Sequence, residues 1–261
     1  MPNPHLPAET LDHIVDHLHD KERALRNCCL VSRTWIPRTR RHLFANIKLQ
    51  TKVHQKSWKE TFPDPSTSPA RYARSLSISC SLPVTAAEAA GWIGGFSRVV
   101  HLEVNSLRFH PGTLAASLPP FHGFSPIKSL YVDLFVVPSP QVFDLILSFP
   151  LLEDLTVRAC VRPANYGDGS DGLLTAVQPS SSPAFSGTLK LSMVGGIRPI
   201  AHRLLSLPGS INFRGLTLKW DEEEDILLTV ALVKRCSHTL ESVDITCKSY
   251  GTHVRHLSSH R

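Results

Sequence analysis

The sequence predicts an α/β fold, a small three-helix module followed by a solenoid of repeated strand units. Three observations lead there. Residues 6–49 carry apolar side chains at helical spacing, short L-x-L runs recur at a near-constant interval after residue 70, and the two stretches differ in charge. The chain has 261 residues, 42% hydrophobic and 19% charged, a globular balance that excludes a largely disordered chain. Its net charge is +6 with a pI near 9.1. Residues 1–60 hold 11 basic and 6 acidic side chains, while the remaining 201 hold 17 and 16. The basic excess therefore belongs to the first quarter of the chain, and the nearly neutral remainder gives no reason to expect nucleic acid as its partner.

The first helix is expected over Glu9 to Leu18, where Leu11, Ile14, Val15 and Leu18 recur at spacings of three and four. A second covers Glu22 to Ser32, with Leu25, Cys28, Cys29 and Val31 apolar. A third spans Ile36 to Phe44, entered at Pro37, where proline is tolerated because a first turn has no N–H partner to lose. Polar and basic residues follow, then prolines at 63, 65 and 69, which read as a boundary loop. The expected organisation is a helical module over 1–49, a basic and Pro/Ser-rich linker over 50–70, and a repeat array over 71–261.

The repeats begin at Leu76-Ser-Ile78, Leu102-Glu-Val104, Leu130-Tyr-Val132, Leu155-Thr-Val157, Leu189-Lys-Leu191, Leu216-Thr-Leu218 and Val243-Asp-Ile245. Intervals between first members are 26, 28, 25, 34, 27 and 27 residues. The long one holds the Gly/Ser/Pro-rich stretches 166–172 and 179–183, which read as a surface-loop insertion. In each unit the two L-x-L side chains point inward, because successive strand residues alternate faces. One unit cannot bury that face alone, so stacking supplies the core. Return helices are expected at Gln141 to Phe149, burying Val142, Leu145, Ile146 and Phe149. Another is expected at Glu222 to Cys236, burying Ile226, Leu227, Val230 and Val233. The units resemble irregular leucine-rich repeats, although the Asn or Cys that usually closes the strand turn is missing from most of them.

The N-terminal stretch reads Leu6-Pro7-Ala8-Glu9, then Ile14, Leu18 and Leu25. It continues as Cys29-Leu30-Val31-Ser32-x-x-Trp35 and ends at Arg41-x-Leu43-Phe44. It resembles an F-box, the helical module that docks onto the Skp-type adaptor of a multisubunit ubiquitin ligase. It departs from that pattern at residues 19–23, His-Asp-Lys-Glu-Arg, where the family often has a more apolar turn. The resemblance implies that Leu6, Pro7, Ile14, Leu18, Leu25, Leu30, Val31 and Trp35 form the adaptor-binding surface. It also implies a substrate receptor of a Skp–cullin–F-box ligase, which works by proximity and does no covalent chemistry of its own. The alternative is a repeat scaffold that binds partners with no ligase role. Independently of the resemblance, a helical module of about 40 residues buries too little apolar surface to be comfortably stable alone.

Outward positions beside each L-x-L form the expected target face. Among them, Glu103, Tyr131, Asp133, Arg158, Lys190 and Lys219 are the candidate contacts, with Tyr131 and Arg158 as anchors because such residues are enriched at hot spots. The charges are mixed and name no ligand class. An open edge is expected at the C-terminal end, since Val254 and Leu257 are the only large aliphatics after Ile245.

Other motifs read as structural. The cluster from Arg33 to Arg41 is a solvated helix face, with too few aromatics for base stacking. His13 and His17 have zinc-compatible spacing but lack the glutamate of H-E-x-x-H. The five carboxylates from Asp221 to Asp225 sit where they complement the start of a helix dipole. No nucleophile elbow, phosphate loop or paired-cysteine zinc pattern occurs, so neither an enzyme nor a cofactor is expected. The longest apolar stretch, Ile226 to Val233, is far short of the roughly 20 residues a spanning helix needs. MPNPHLPAET lacks the basic and apolar regions of a secretory signal, and the six cysteines include no C-x-x-C pair. The expectation is reduced thiols in cytoplasm or nucleus, with no membrane partner.

Overall fold

A computed structural model describes residues 7–79, 93–107, 126–134, 140–160, 185–194, 197–207, 211–220 and 225–247. Three helices open it, α1 (Ala8–Asp16), α2 (Glu22–Val31) and α3 (Ile36–Leu43), close to the expected ranges, with proline in the first turn of α3. Val15, Leu25, Cys28 and Thr39 are buried at the centre of this module. A polar clasp holds α1 to α3. Arg38 Nε donates to Asp16 Oδ1 at 2.6 Å, its Nη2 reaches Oδ2, and His42 Nε2 donates to Oδ1 at 2.7 Å. The hydrogen bonds from Arg38 and then His42 hold the Asp16 carboxyl well below the usual carboxylate range.

Eight strands follow in one all-parallel sheet: β1 (Asn46–Leu49), β2 (Ser75–Ser79), β3 (His101–Leu107), β4 (Ser129–Leu134), β5 (Asp154–Cys160), β6 (Thr188–Val194), β7 (Gly215–Trp220) and β8 (Ser242–Cys247). Each strand pairs with its neighbours in sequence, which is the topology of stacked repeats. The first members of the L-x-L runs pair directly, Leu76 with Leu102, Leu102 with Leu130, Leu130 with Leu155, and so on to Leu216 with Val243. The unequal intervals leave that register intact. Inward residues of β2 to β7 are almost wholly buried, Leu76, Ile78, Leu130, Val132, Leu155 and Val157 among them. Phe96, Phe149, Phe185 and Phe213 fill the space behind the sheet.

The sheet starts earlier than expected. Residues 46–49, assigned by sequence to the helical module, form β1, and Ile47 pairs with Leu76. Asn-Ile-Lys-Leu has the same inward alternation as the later units, with Ile47 and Leu49 buried. Likewise the stretch 50–70 is not a plain linker. It carries helix α4 (Lys52–Thr61), capped by the Thr51 hydroxyl accepting from His54 N at 3.1 Å, and a 3-10 turn at Pro69–Tyr72. Trp58 and Phe62, four apart on this segment, explain its ordering. Trp58 packs against Phe44 at 6.4 Å and Phe96 at 5.6 Å between ring centroids, and Phe62 lies 4.8 Å from Trp58. Only the proline-rich part, 62–68, is irregular, as expected.

The remaining described helices are α5 (Pro140–Leu147), α6 (Arg198–Ser206) and α7 (Asp225–Cys236). Helix α5 buries Val142, Leu145 and Ile146, with Phe149 just beyond it, as its periodicity predicts. Helix α7 is rotated from its expected orientation. It buries Asp225, Thr229, Leu232 and Cys236, exposes Ile226, Leu227 and Val230, and of the expected face keeps only Val233 packed against the core. The reason is polar. Asp225 Oδ2 accepts from Ile197 N at 2.8 Å, capping the start of α6, and Arg198 stands 3.7 Å from Oδ1. That anchor fixes which side of α7 meets the core. Asp225 therefore serves the dipole of the preceding helix as well as its own, and residues 221–224 lie outside the described residues.

Among the described cysteines, Cys28, Cys29, Cys236 and Cys247 are free thiols, and burial pushes the Cys236 thiol up in pKa. No helix among the described residues is long and apolar enough to cross a membrane.

Candidate functional site

The strand register gathers the six predicted target contacts onto one face. Glu103 pairs across with Tyr131, Tyr131 with Thr156, and Thr156 with Lys190, making one row. The next row runs Asp133, Arg158, Ser192 and Lys219. With strands about 4.8 Å apart, the patch is roughly 19 Å wide from β3 to β7. Arg158, Lys190 and Lys219 are exposed, while Glu103, Tyr131 and Asp133 are half-buried among their neighbours. Charge is ordered along the rows, acidic on β3 and β4 and basic on β5 to β7.

This face does not extend evenly to the N-terminal end of the sheet. Ser77, an outward position on β2, is only 3% exposed. Its hydroxyl accepts from Gln50 Nε2 and from Asn105 Nδ2, both at 3.1 Å, and Asn105 also donates to Glu103 Oε1 at 2.8 Å. Beneath it, the buried Gln55 of α4 donates to the carbonyls of Leu49 and Ser79 at 3.1 and 3.0 Å. These glutamines belong to the segment read as a linker, so strand alternation alone missed them. The polar pair Gln50-Thr51 directly after the inward pair Ile47 and Leu49 was the available signal.

At β5 to β7 two glycines are set by close approach. A Cβ on Gly187 would lie 2.3 Å from Asp154 Oδ1, which accepts from Thr188 N at 2.6 Å. A Cβ on Gly215 would lie 2.7 Å from Thr188 Cγ2, so this outward position is closed by its neighbour.

The helical module offers a second surface. Of the eight predicted adaptor contacts, Leu6 lies outside the described residues. Pro7 is exposed at the start of α1, Ile14 is 40% exposed, and Leu30 and Val31 at the end of α2 are 86% and 70% exposed. Leu18 and Trp35 are half-buried. Leu25 is the correction. At 1% exposure it is core, because its position on α2 faces the other helices. His13 and His17 are exposed, and among the described residues no group of three or more His, Cys, Asp or Glu side chains is placed to hold a metal ion.

Fold and surfaces together define a parallel strand-repeat protein with three helices leading into an eight-stranded sheet, an arrangement consistent with a leucine-rich-repeat-like solenoid. Compared with known proteins, the chain matches no family model, no curated protein and no solved structure.

Proposed function

We propose that this chain is a receptor subunit whose helical module docks onto the Skp-type adaptor of a cullin ubiquitin ligase while its sheet face holds a target protein. The observation that carries the reading is the exposure of Leu30 and Val31 within the Leu-Val-Ser-x-x-Trp block that resembles an F-box. Two adjacent large aliphatic side chains left in water at the end of a short helix, inside that block, support a docking surface there. Each one withdrawn from water contributes roughly 1.5–3 kcal/mol. The target is held by the ordered rows around Tyr131 and Arg158, so that its lysines meet the ubiquitin carrier at high effective concentration.

Co-purification with a Skp-type adaptor tests this reading. Leu30→Asp combined with Val31→Asp is expected to abolish adaptor capture while leaving the thermal melt unchanged, since both side chains are already exposed. Failure of the unaltered chain to capture the adaptor would overturn the ligase reading and leave a partner-binding scaffold.

A further inference from the structure

The residue just before each strand occupies an equivalent place in every unit. The Ala45 carbonyl accepts from Arg74 N and Ser75 N, the Arg74 carbonyl from Val100 N and His101 N, and the Lys128 carbonyl from Glu153 N and Asp154 N. The Arg214 carbonyl accepts from Glu241 N and Ser242 N in the same way. Along this rim a basic side chain is matched by an acid one unit further on. Lys128 Nζ meets Glu153 Oε1 at 2.7 Å, and Arg214 Nη1 stands 3.9 Å from Glu241 Oε1. Arg74 breaks the rule, because the next unit places Val100 there. Around Arg74 lies an open cleft of about 320 Å³ between the helical module and the array. It is lined by Arg41, His42, Ala45, Arg71, Tyr72, Arg74 and Arg98, with no carboxylate in the lining. Among the described residues none of these four arginines is in an ion pair. Arg41 sits in the last turn of α3, where a cation suits the helix dipole, but Arg74 and Arg98 belong to no helix and have no such explanation.

We propose that this cleft binds a small, multiply charged phosphate compound. Four arginines line one cleft with no ion-pair partner among the described residues, and a phosphoryl group offers guanidinium acceptor oxygens in the planar, paired geometry that Arg favours. Arg71 Nη2 donates to the Tyr72 hydroxyl oxygen at 3.0 Å, which leaves the phenolic proton free to donate to the same ligand. The cleft volume is at the lower end of the range for small-molecule sites, which favours a compact ligand over a peptide segment.

Calorimetry of the full chain with pyrophosphate is the test, with chloride at matched ionic strength as the reference. Saturable binding is expected, weakened at least tenfold in Arg74→Ala and in Arg98→Ala, as loss of a charge-assisted hydrogen bond implies. Lys128→Ala, which removes a paired cation from the same rim, should change it less than twofold. Without ligand, Arg74→Ala should melt at or above the unaltered chain, because it relieves repulsion, and pyrophosphate should raise the melting temperature of the unaltered chain more than that of the variant. No saturable binding, equal weakening by Lys128→Ala, or a lower melting temperature for ligand-free Arg74→Ala would each overturn the proposal. Tighter capture of a phosphoserine peptide than of pyrophosphate would also overturn it. Adaptor capture is a separate readout, so this site stands or falls independently of the ligase reading.

Discussion

The two ends of the sheet are built differently from the same kind of strand. At the β1 end, Ile47 and Leu49 are buried, with Phe44 and Trp58 of α4 packed against the same core. At the β8 end, Val243 is half-buried and Ile245 is 38% exposed, although both continue the inward rows of Leu216 and Leu218. The alternation is the same, and only the neighbour differs. Burial in a stack of this kind is a property of the interface between units, not of the strand itself.

The largest expected effect breaks the middle of the stack. Leu130→Ala should cost about 3 kcal/mol in urea unfolding, the cost of a cavity with neighbours on both sides. Ile245→Ala, in an inward row of the terminal strand, should cost less than about 1 kcal/mol. Equal costs would mean that the β8 end is covered as fully as the centre.

Helix α7 sharpens the same contrast. Asp225→Ala should destabilise by about 2 kcal/mol, because it strips the acceptor from the buried Ile197 N–H. Leu227→Lys, on an apolar residue that helical spacing assigns to the core, should change stability by no more than about 0.5 kcal/mol, being 78% exposed. The reverse ranking in thermal melts would show that the helix sits on its apolar face after all.

The smallest effect belongs to the module. Asp16→Asn should cost about 1 kcal/mol at neutral pH, a modest figure because a carboxylate one-third exposed is partly screened. The folded pKa lies below the unfolded one, so this stability is whole above about pH 4 and drains as pH falls below it toward the depressed native value. A pH series on both forms should converge in acid. Persistence of the gap at low pH would argue that the clasp is held by something other than the carboxylate charge.

Much of this architecture was legible in residues. Three helices, seven strands and their mutual register follow from apolar spacing, since Leu-x-Leu pairs repeat at an interval a stacked unit requires. The first strand was hidden because Asn-Ile-Lys-Leu is short and sits directly after a helix, where one alternation of two residues is indistinguishable from a helix end. The orientation of α7 was hidden because periodicity weighs apolar residues alone, whereas a single buried carboxylate with an N–H to cap outweighed three aliphatic side chains. Of the target patch, alternation placed all six residues on one face. It did not reveal that Ser77 is closed over by Gln50 and Asn105, because those donors come from different units.

The register of the first inward residues holds across unequal intervals, including the 34-residue step from Leu155 to Leu189, which still pair directly. The sheet thus counts units and is indifferent to the chain length spent between them. A residue gained within a strand inverts every side chain after it unless a bulge absorbs it, as the shift between Val104 and Leu107 of β3 does, whereas one gained in a return path leaves the strand register unchanged. Length variation among versions of such a chain should therefore collect between strands. The spacing of the binding rows would stay constant while the outline of the molecule changes around it.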